Sequence, residues 1–194
     1  MISTEQIKEL RDRTGVSVMQ CRKALEEAKG DFDKAIIILR KLSSSIAEKK
    51  SDRNLGAGTV AAYVHGTGSV GTMVELYCET DFVAKNPEFK QLAYDIAMQI
   101  AATSPEFLKR ENIAADAMQK IKEVFESEVK DKPKAAQAKI LEGKIDAYFK
   151  DRVLLEQPFV KNPELTINNL IQTTIQKFGE RIEVGKFVRF SVSK

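Results

Sequence analysis

Hydrophobic positions along this chain follow two different periods, and the switch between them divides it. From residue 3 to residue 42 they recur at helical spacing in three short bursts. Ser3-Thr4-Glu5-Gln6 has the spacing of a capping box ahead of Ile7 and Leu10, and Gly15 supplies a stop. Ser17-Val18-Met19-Gln20 repeats that spacing, with Val18, Cys21, Leu25 and Ala28 as the apolar stripe up to Gly30. Asp31 caps a third helix that turns Phe32, Ala35, Ile36 and Leu39 inward. Val18 and Met19 are neighbours at a helix start, so both cannot face one small core, and one of them is expected on the surface. Three helices this short make a marginal core, which predicts support from a partner or from the rest of the chain. Ser43-Ser44-Ser45 and the polar run Lys49-Lys50-Ser51-Asp52-Arg53-Asn54 read as the third helix fraying into a linker.

Beyond that point apolar residues alternate. Thr59-Val60-Ala61-Ala62-Tyr63-Val64 and Val70 to Cys78 flank Gly66-Thr67-Gly68-Ser69, the pattern of a hairpin with a four-residue turn. Val70, Thr72, Val74, Leu76 and Cys78 share the face expected to be buried. Asn86 then caps a helix with Pro87 in its first position. Phe89, Leu92, Ala93, Ile96, Ala97, Ile100 and Ala101 give that helix a continuous apolar face, and Ser104-Pro105 ends it. Two charged, Ala-rich helical stretches follow, over 113–130 and 134–155, broken near Asp131-Lys132-Pro133. Helices so polar are expected to project as an antiparallel pair, about 113–156, or to meet another chain. A last helix is predicted from Thr166 to Phe178 with a stop at Gly179. Ile182-Glu183-Val184 and Phe187 to Val192 then read as a strand with a bulge at Gly185. The expected fold is α+β: a three-helix domain over 1–50, a linker over 51–56, and a core over 57–194 in which helices cover a small antiparallel sheet.

Composition narrows the function. The 194 residues are 43% hydrophobic and 30% charged, the balance of a globular protein, and the formal net charge is only +3. So small an excess, with opposite charges interspersed, gives no argument for nucleic acid, and no apolar run approaches a membrane span. The opening residues lead straight into a helix start instead of a secretory signal, so a cytoplasmic protein is expected. Cys21 and Cys78 are the only cysteines, and their apolar neighbours suit buried thiols in a reducing compartment. His65 is the only histidine and has no nucleophile at a catalytic spacing. Cys and His together are too few and too scattered for structural zinc. Glu126 with Glu128, or Asp151 with Glu156, lie on charged helices where carboxylates are solvated. No phosphate-cradling loop is present, so no nucleotide, cofactor or covalent chemistry is expected of this chain.

The most specific segment is Cys78-Glu79-Thr80-Asp81-Phe82-Val83-Ala84-Lys85-Asn86, at the exit of the second strand. On residue type alone, Asp81 is a turn-forming acid and Phe82 a core plug above Phe89, or else both are displayed to a partner. This run resembles the signature of the elongation factor Ts family. The likeness extends to Leu10-Arg11-Asp12-Arg13-Thr14-Gly15, Met19 to Leu25, Leu154 to Lys161, and Phe187-Val188-Arg189-Phe190, and so spans essentially the whole chain. It implies that the first module is similar to a ubiquitin-associated domain. It also implies a guanine-nucleotide exchange factor for elongation factor Tu. Thr80, Asp81, Phe82 and Val83 would disturb the Mg²⁺ site of that GTPase, and Arg11, Val18 and Met19 would dock on it. With one hairpin and one terminal strand the chain resembles the short form of the family, which implies a non-covalent homodimer. The competing class is a ribosome- or RNA-associated helical protein using Lys41, Lys49, Lys50 and Arg53.

Overall fold

The computed structural model describes residues 2–130 and 133–192. It contains helices α1 (Thr4–Thr14), α2 (Val18–Glu27), α3 (Phe32–Glu48), α4 (Asp81–Lys85), α5 (Pro87–Thr103), α6 (Ala115–Val129), α7 (Lys134–Lys150) and α8 (Ile167–Phe178). Its strands are β1 (Ala57–His65), β2 (Val70–Cys78), β3 (Pro158–Phe159), β4 (Asn162–Thr166) and β5 (Ile182–Ser191).

The first three helices enclose Leu10, Val16, Cys21, Leu25, Ala35 and Leu39. Ser3 and Gln6 form the expected capping box, and Gly15 closes α1 in the left-handed conformation at φ 69°. The apolar stripe of α2 differs from its sequence reading. Val18 and Met19 are 52% and 67% exposed, and Val16 in the preceding loop fills the inward place at 4%. Helical side chains lean toward the N-terminus, so a first-turn residue points past the end of a core this small.

The third helix also departs from expectation. Ser43, Ser44 and Ser45 do not fray; α3 runs through them to Glu48. Its polar face is held by α8. Ser43, 3% exposed, shares its hydroxyl between the Leu39 carbonyl and the Gln176 side chain, and Ser44 donates to Gln172 Oε1 at 2.8 Å. Arg40 Nη2 donates to the Glu164 carbonyl at 2.7 Å. Farther along α3, Ile46 and Ala47 pack against the second core. The Ser43 and Ser44 hydroxyls each have a side-chain partner on α8, which offsets the cost of placing serine in a helix.

The second core lies under a three-stranded antiparallel sheet ordered β1-β2-β5. As predicted, Thr72, Val74, Leu76 and Cys78 point inward from β2, where they meet Phe89, Ala93, Ile96 and Ile100 of α5. Thr72 keeps its hydroxyl satisfied by donating to the Ala97 carbonyl at 2.8 Å. The bulge at Gly185 is present: Val74 pairs with Phe187 and Leu76 with Val184, so two residues of β5 oppose Glu75 alone. Ile167, Ile171 and Ile175 of α8 close the core from the side. Two elements carried no readable sequence pattern, the short α4 and the small hairpin β3–β4. Gln99, fully buried in α5, ties that hairpin down by donating to the Pro158 carbonyl and accepting from the Val160 amide.

The projecting pair is α6 and α7, packed through Phe125 and Tyr148, whose rings meet edge to face at 5.8 Å. Helix α7 ends at Lys150, sooner than the expected 155, and residues Leu154–Glu156 form a single 3₁₀ turn that seats Leu154 in the core. The predicted break at Asp131-Lys132 lies outside the described residues. Among the described residues no helix is long and apolar enough to cross a membrane.

Candidate partner-binding site

Strand β2 delivers the chain to Thr80, which sits in an extended conformation and caps α4 with its hydroxyl over the Val83 amide. The helix has only five residues. Asp81 at its start and Lys85 at its end complement the helix dipole, and Lys85 Nζ reaches Asp81 Oδ2 at 2.5 Å. That hydrogen bond and the Lys85 charge hold the Asp81 carboxyl below the usual carboxylate range.

Successive residues on a helix point about 100° apart, which here separates two kinds of side chain. Val83 and Ala84 are buried, at 3% and 8% exposure. Phe82 faces away from them and is 80% exposed. The core-plug alternative is thereby excluded, because Phe89 occupies the core without it. Exposing one Phe to this extent forgoes roughly 1.5–3 kcal/mol of burial, which nothing within the chain recovers. Val83, the fourth residue of the anticipated site, supports the helix from beneath and is not displayed.

The turn under α4 is held by residues that the sequence reading did not single out. Glu180, just past the end of α8, accepts from the amides of Glu79 and Thr80, both at 3.1 Å, and from the Thr80 hydroxyl at 2.6 Å. The Glu79 carboxylate answers by accepting from the Arg181 amide at 2.5 Å and from Arg53 at 3.2 Å. Burial works to raise the Glu79 carboxyl, but the Arg181 amide and Arg53 outweigh it and leave it below the usual range. Cys78 donates its thiol to the Thr80 carbonyl at 3.2 Å. Burial above all, and then the Glu180 charge, push that thiol up, so it keeps its proton. About a hundred residues separate the two halves of this arrangement, too far for any local pattern to reveal it.

The other anticipated contact residues belong to the first core. Arg11 lies in the last turn of α1 and Val18 and Met19 in the first turn of α2, flanking the loop Gly15–Ser17, and all three are exposed. His65, at the end of β1, is exposed and shares a hydrogen bond with the Tyr63 hydroxyl at 3.0 Å.

An α+β chain that seats its most distinctive motif on a pinned turn and points an aromatic ring outward falls in the class of translation elongation factors, as comparison with known proteins establishes. The family model described as Elongation factor TS matches residues 38–194. Proteins named Elongation factor Ts are similar along the entire chain. That of Thermodesulfovibrio yellowstonii is 48% identical over 194 residues, covering 100% of this chain and 97% of its own. That of Fervidobacterium nodosum is 47% identical over 195 residues, covering 100% and 99%. That of Carboxydothermus hydrogenoformans is 46% identical over 196 residues, covering 100% and 90%. The chain belongs to the elongation factor Ts family.

Proposed function

We propose that this chain binds elongation factor Tu in its GDP form and accelerates GDP release by disturbing the Mg²⁺ site, after which GTP rebinds. The observation that carries the reading is Phe82, displayed on a short helix that is anchored on its other side. A GTPase holds its nucleotide through a phosphate loop and a Mg²⁺ ion that offsets phosphate charge. An exchange factor need only stabilise a shape of the GTPase in which that ion is held poorly. Phe82 supplies an apolar wedge for a slot beside the mobile switch region. Asp81 then exchanges its internal partner Lys85 for a group at the rim of the slot. Thr80 and Val83 keep the wedge in place from within, one as cap and the other as anchor. Arg11, Val18 and Met19 provide a second contact that adds affinity. No covalent bond changes, and linkage requires that GDP weaken the factor's binding as much as the factor weakens GDP's. The work is placed in the cytoplasm.

The test is to mix the protein with elongation factor Tu carrying fluorescent GDP and to time the loss of signal. Phe82→Ala is expected to slow release roughly tenfold or more, the scale of a truncated hot-spot aromatic. Asp81→Ala should slow it by no more than about fivefold, the worth of one rim hydrogen bond. Release at wild-type speed from folded Phe82→Ala protein excludes the wedge.

A homodimer is part of the same reading. Among the described residues, helices cover only one face of the sheet. On the other face the cross-strand rows Ala62–Met73–Val188 and Val64–Gly71–Phe190 lie open, with Phe190 70% exposed. A second copy laid face to face would cover both.

A further inference from the structure

Thr80 is exposed, yet its hydrogen-bonding groups are already engaged within the chain. Its hydroxyl donates to Glu180 Oε1 at 2.6 Å and accepts from the Val83 amide at 3.5 Å, its own amide donates to Glu180 Oε2 at 3.1 Å, and its carbonyl accepts the Cys78 thiol. A hydroxyl has one proton to give, and Glu180 takes it. The preceding residue is fixed by the same carboxylate through the Glu79 amide. The tie is reciprocal, since Glu79 in turn holds the amide of Arg181, next to Glu180. Three crossed side-chain to backbone bonds therefore lock the end of β2 to the turn between α8 and β5. From that lock α4 departs, carrying Phe82.

Helix α4 is held at both ends, by this lock where it starts and by Asn86, which ends it and caps α5. Five residues cannot hold a helical conformation alone in water, so its direction comes from its cap and its buried side. Val83 and Ala84 fix which side faces down. At the strand exit the direction of the chain is set by the Glu180 bonds to the Glu79 and Thr80 amides. We infer that Glu180 is a positioning residue for nucleotide exchange: its carboxylate orients Thr80, and through it the displayed Phe82, so that the wedge enters the GTPase without first being ordered. The inference rests on the wedge reading above, and it assigns to Thr80 an internal role in place of a contact with the partner. A preordered wedge pays no ordering entropy when it enters its slot.

Six proteins decide the matter: wild type, Glu180→Ala, Glu180→Gln, Thr80→Val, the double variant of Glu180→Ala with Thr80→Val, and Phe82→Ala as reference. The first measurement is amide hydrogen exchange in the free chain, which needs no partner. In Glu180→Ala the amides of Glu79 and Thr80 should exchange faster by roughly tenfold, the worth of a hydrogen bond to a charged group, while amides of α5 and β1 stay protected. The second is fluorescent-GDP release from elongation factor Tu. Glu180→Ala should lower the maximal release rate by about tenfold and move the half-saturating concentration much less. Thr80→Val should do the same, and the double variant should be no slower than the slower single, since both changes break one unit. Glu180→Gln, which keeps one acceptor oxygen, should recover part of the rate. Unchanged exchange at Glu79 and Thr80, or independent multiplication of the two single effects, overturns the positioning role. So does a slow Phe82→Ala protein alongside Glu180→Ala at wild-type speed. A Phe82→Ala protein at wild-type speed instead overturns the wedge, and the positioning role with it.

Discussion

Phe82 and Val83 are adjacent in sequence and opposite in physics. One is 80% exposed and the other 3%. Truncating each to Ala should therefore separate stability from activity. Phe82→Ala is expected to leave unfolding within about 0.5 kcal/mol of wild type, as surface changes do. Val83→Ala should cost about 1–3 kcal/mol through lost burial and a small cavity, visible as a lower midpoint in thermal or urea unfolding. Glu79 offers a second test at this scale. Its carboxyl lies below the ordinary value of 4.5 in the folded chain, which therefore binds fewer protons than the unfolded chain in that range. The resulting stability is complete above pH 4.5 and is lost as pH falls through the depressed folded value. Glu79→Gln should accordingly flatten the acid limb of a stability-against-pH curve, and an unaltered limb would show the carboxylate to be idle. Residue type alone did not separate a buried Phe82 from a displayed one; the surrounding motif favoured display, and the geometry of α4 agrees. The Glu180 tie was invisible because it joins residues 79 and 180.

Among elements, those with long or periodic apolar faces were legible and those held by a few contacts were not. Helix α5 announced its start through Asn86-Pro87 and its inner face through repeated spacing, and the hairpin β1–β2 through its glycine turn. Even the Gly185 bulge could be read. Helix α4 could not, since five residues contain less than two turns of pattern. Helix α3 was read too short because its serines were judged as though solvated, when α8 supplies Ser43 and Ser44 with partners. The Val18 error has the same origin, since the stripe of α2 was judged without knowing where the core stopped. Strand pairing yields a further prediction. A methyl group added at Gly58 would lie 2.5 Å from the Leu76 carbonyl oxygen and 3.1 Å from Tyr77 Cα, so backbone rather than a side-chain tip must move. Gly58→Ala should cost about 1–3 kcal/mol and lower the midpoint of thermal unfolding by a few degrees. An unchanged midpoint would mean that the two strands are less tightly paired than they stand here.

For the molecule as a whole, α+β architecture and family were both within reach of the sequence, because several separated motifs agreed. Assembly was suggested only by the likeness to the short form of the family. The bare sheet face now makes the suggestion specific. Light scattering at micromolar concentration should give twice the mass of one chain, and Phe190→Asp should halve it while the circular dichroism stays the same. A wild-type mass of one chain would rule out the pairing. Truncation probes the other large interface. Removing residues 2–30 takes away α1 and α2 only, whereas removing 2–50 also strips α3 from α8 and uncovers the apolar positions that Ile46 and Ala47 protect. The longer deletion should aggregate or unfold at lower temperature than the shorter one, as measured by a thermal scan of both. Equal behaviour would mean that α3 adds nothing to the second core.

Helix α3 has a consequence for how the two proposed contact regions are spaced. It begins inside the first core and finishes against the second, clasped along its length by Arg40, Ser43 and Ser44 and, just past its end, by Lys50 on the Gly179 carbonyl at 2.6 Å. The first module and the wedge thus behave like the jaws of a caliper locked at one setting. Inserting a single alanine into α3 between Leu39 and Ile46 would swing one jaw about 100° around the helix axis and advance it about 1.5 Å. A GTPase that must be gripped at both places would then be reachable at only one of them, with every contacting side chain still in the chain.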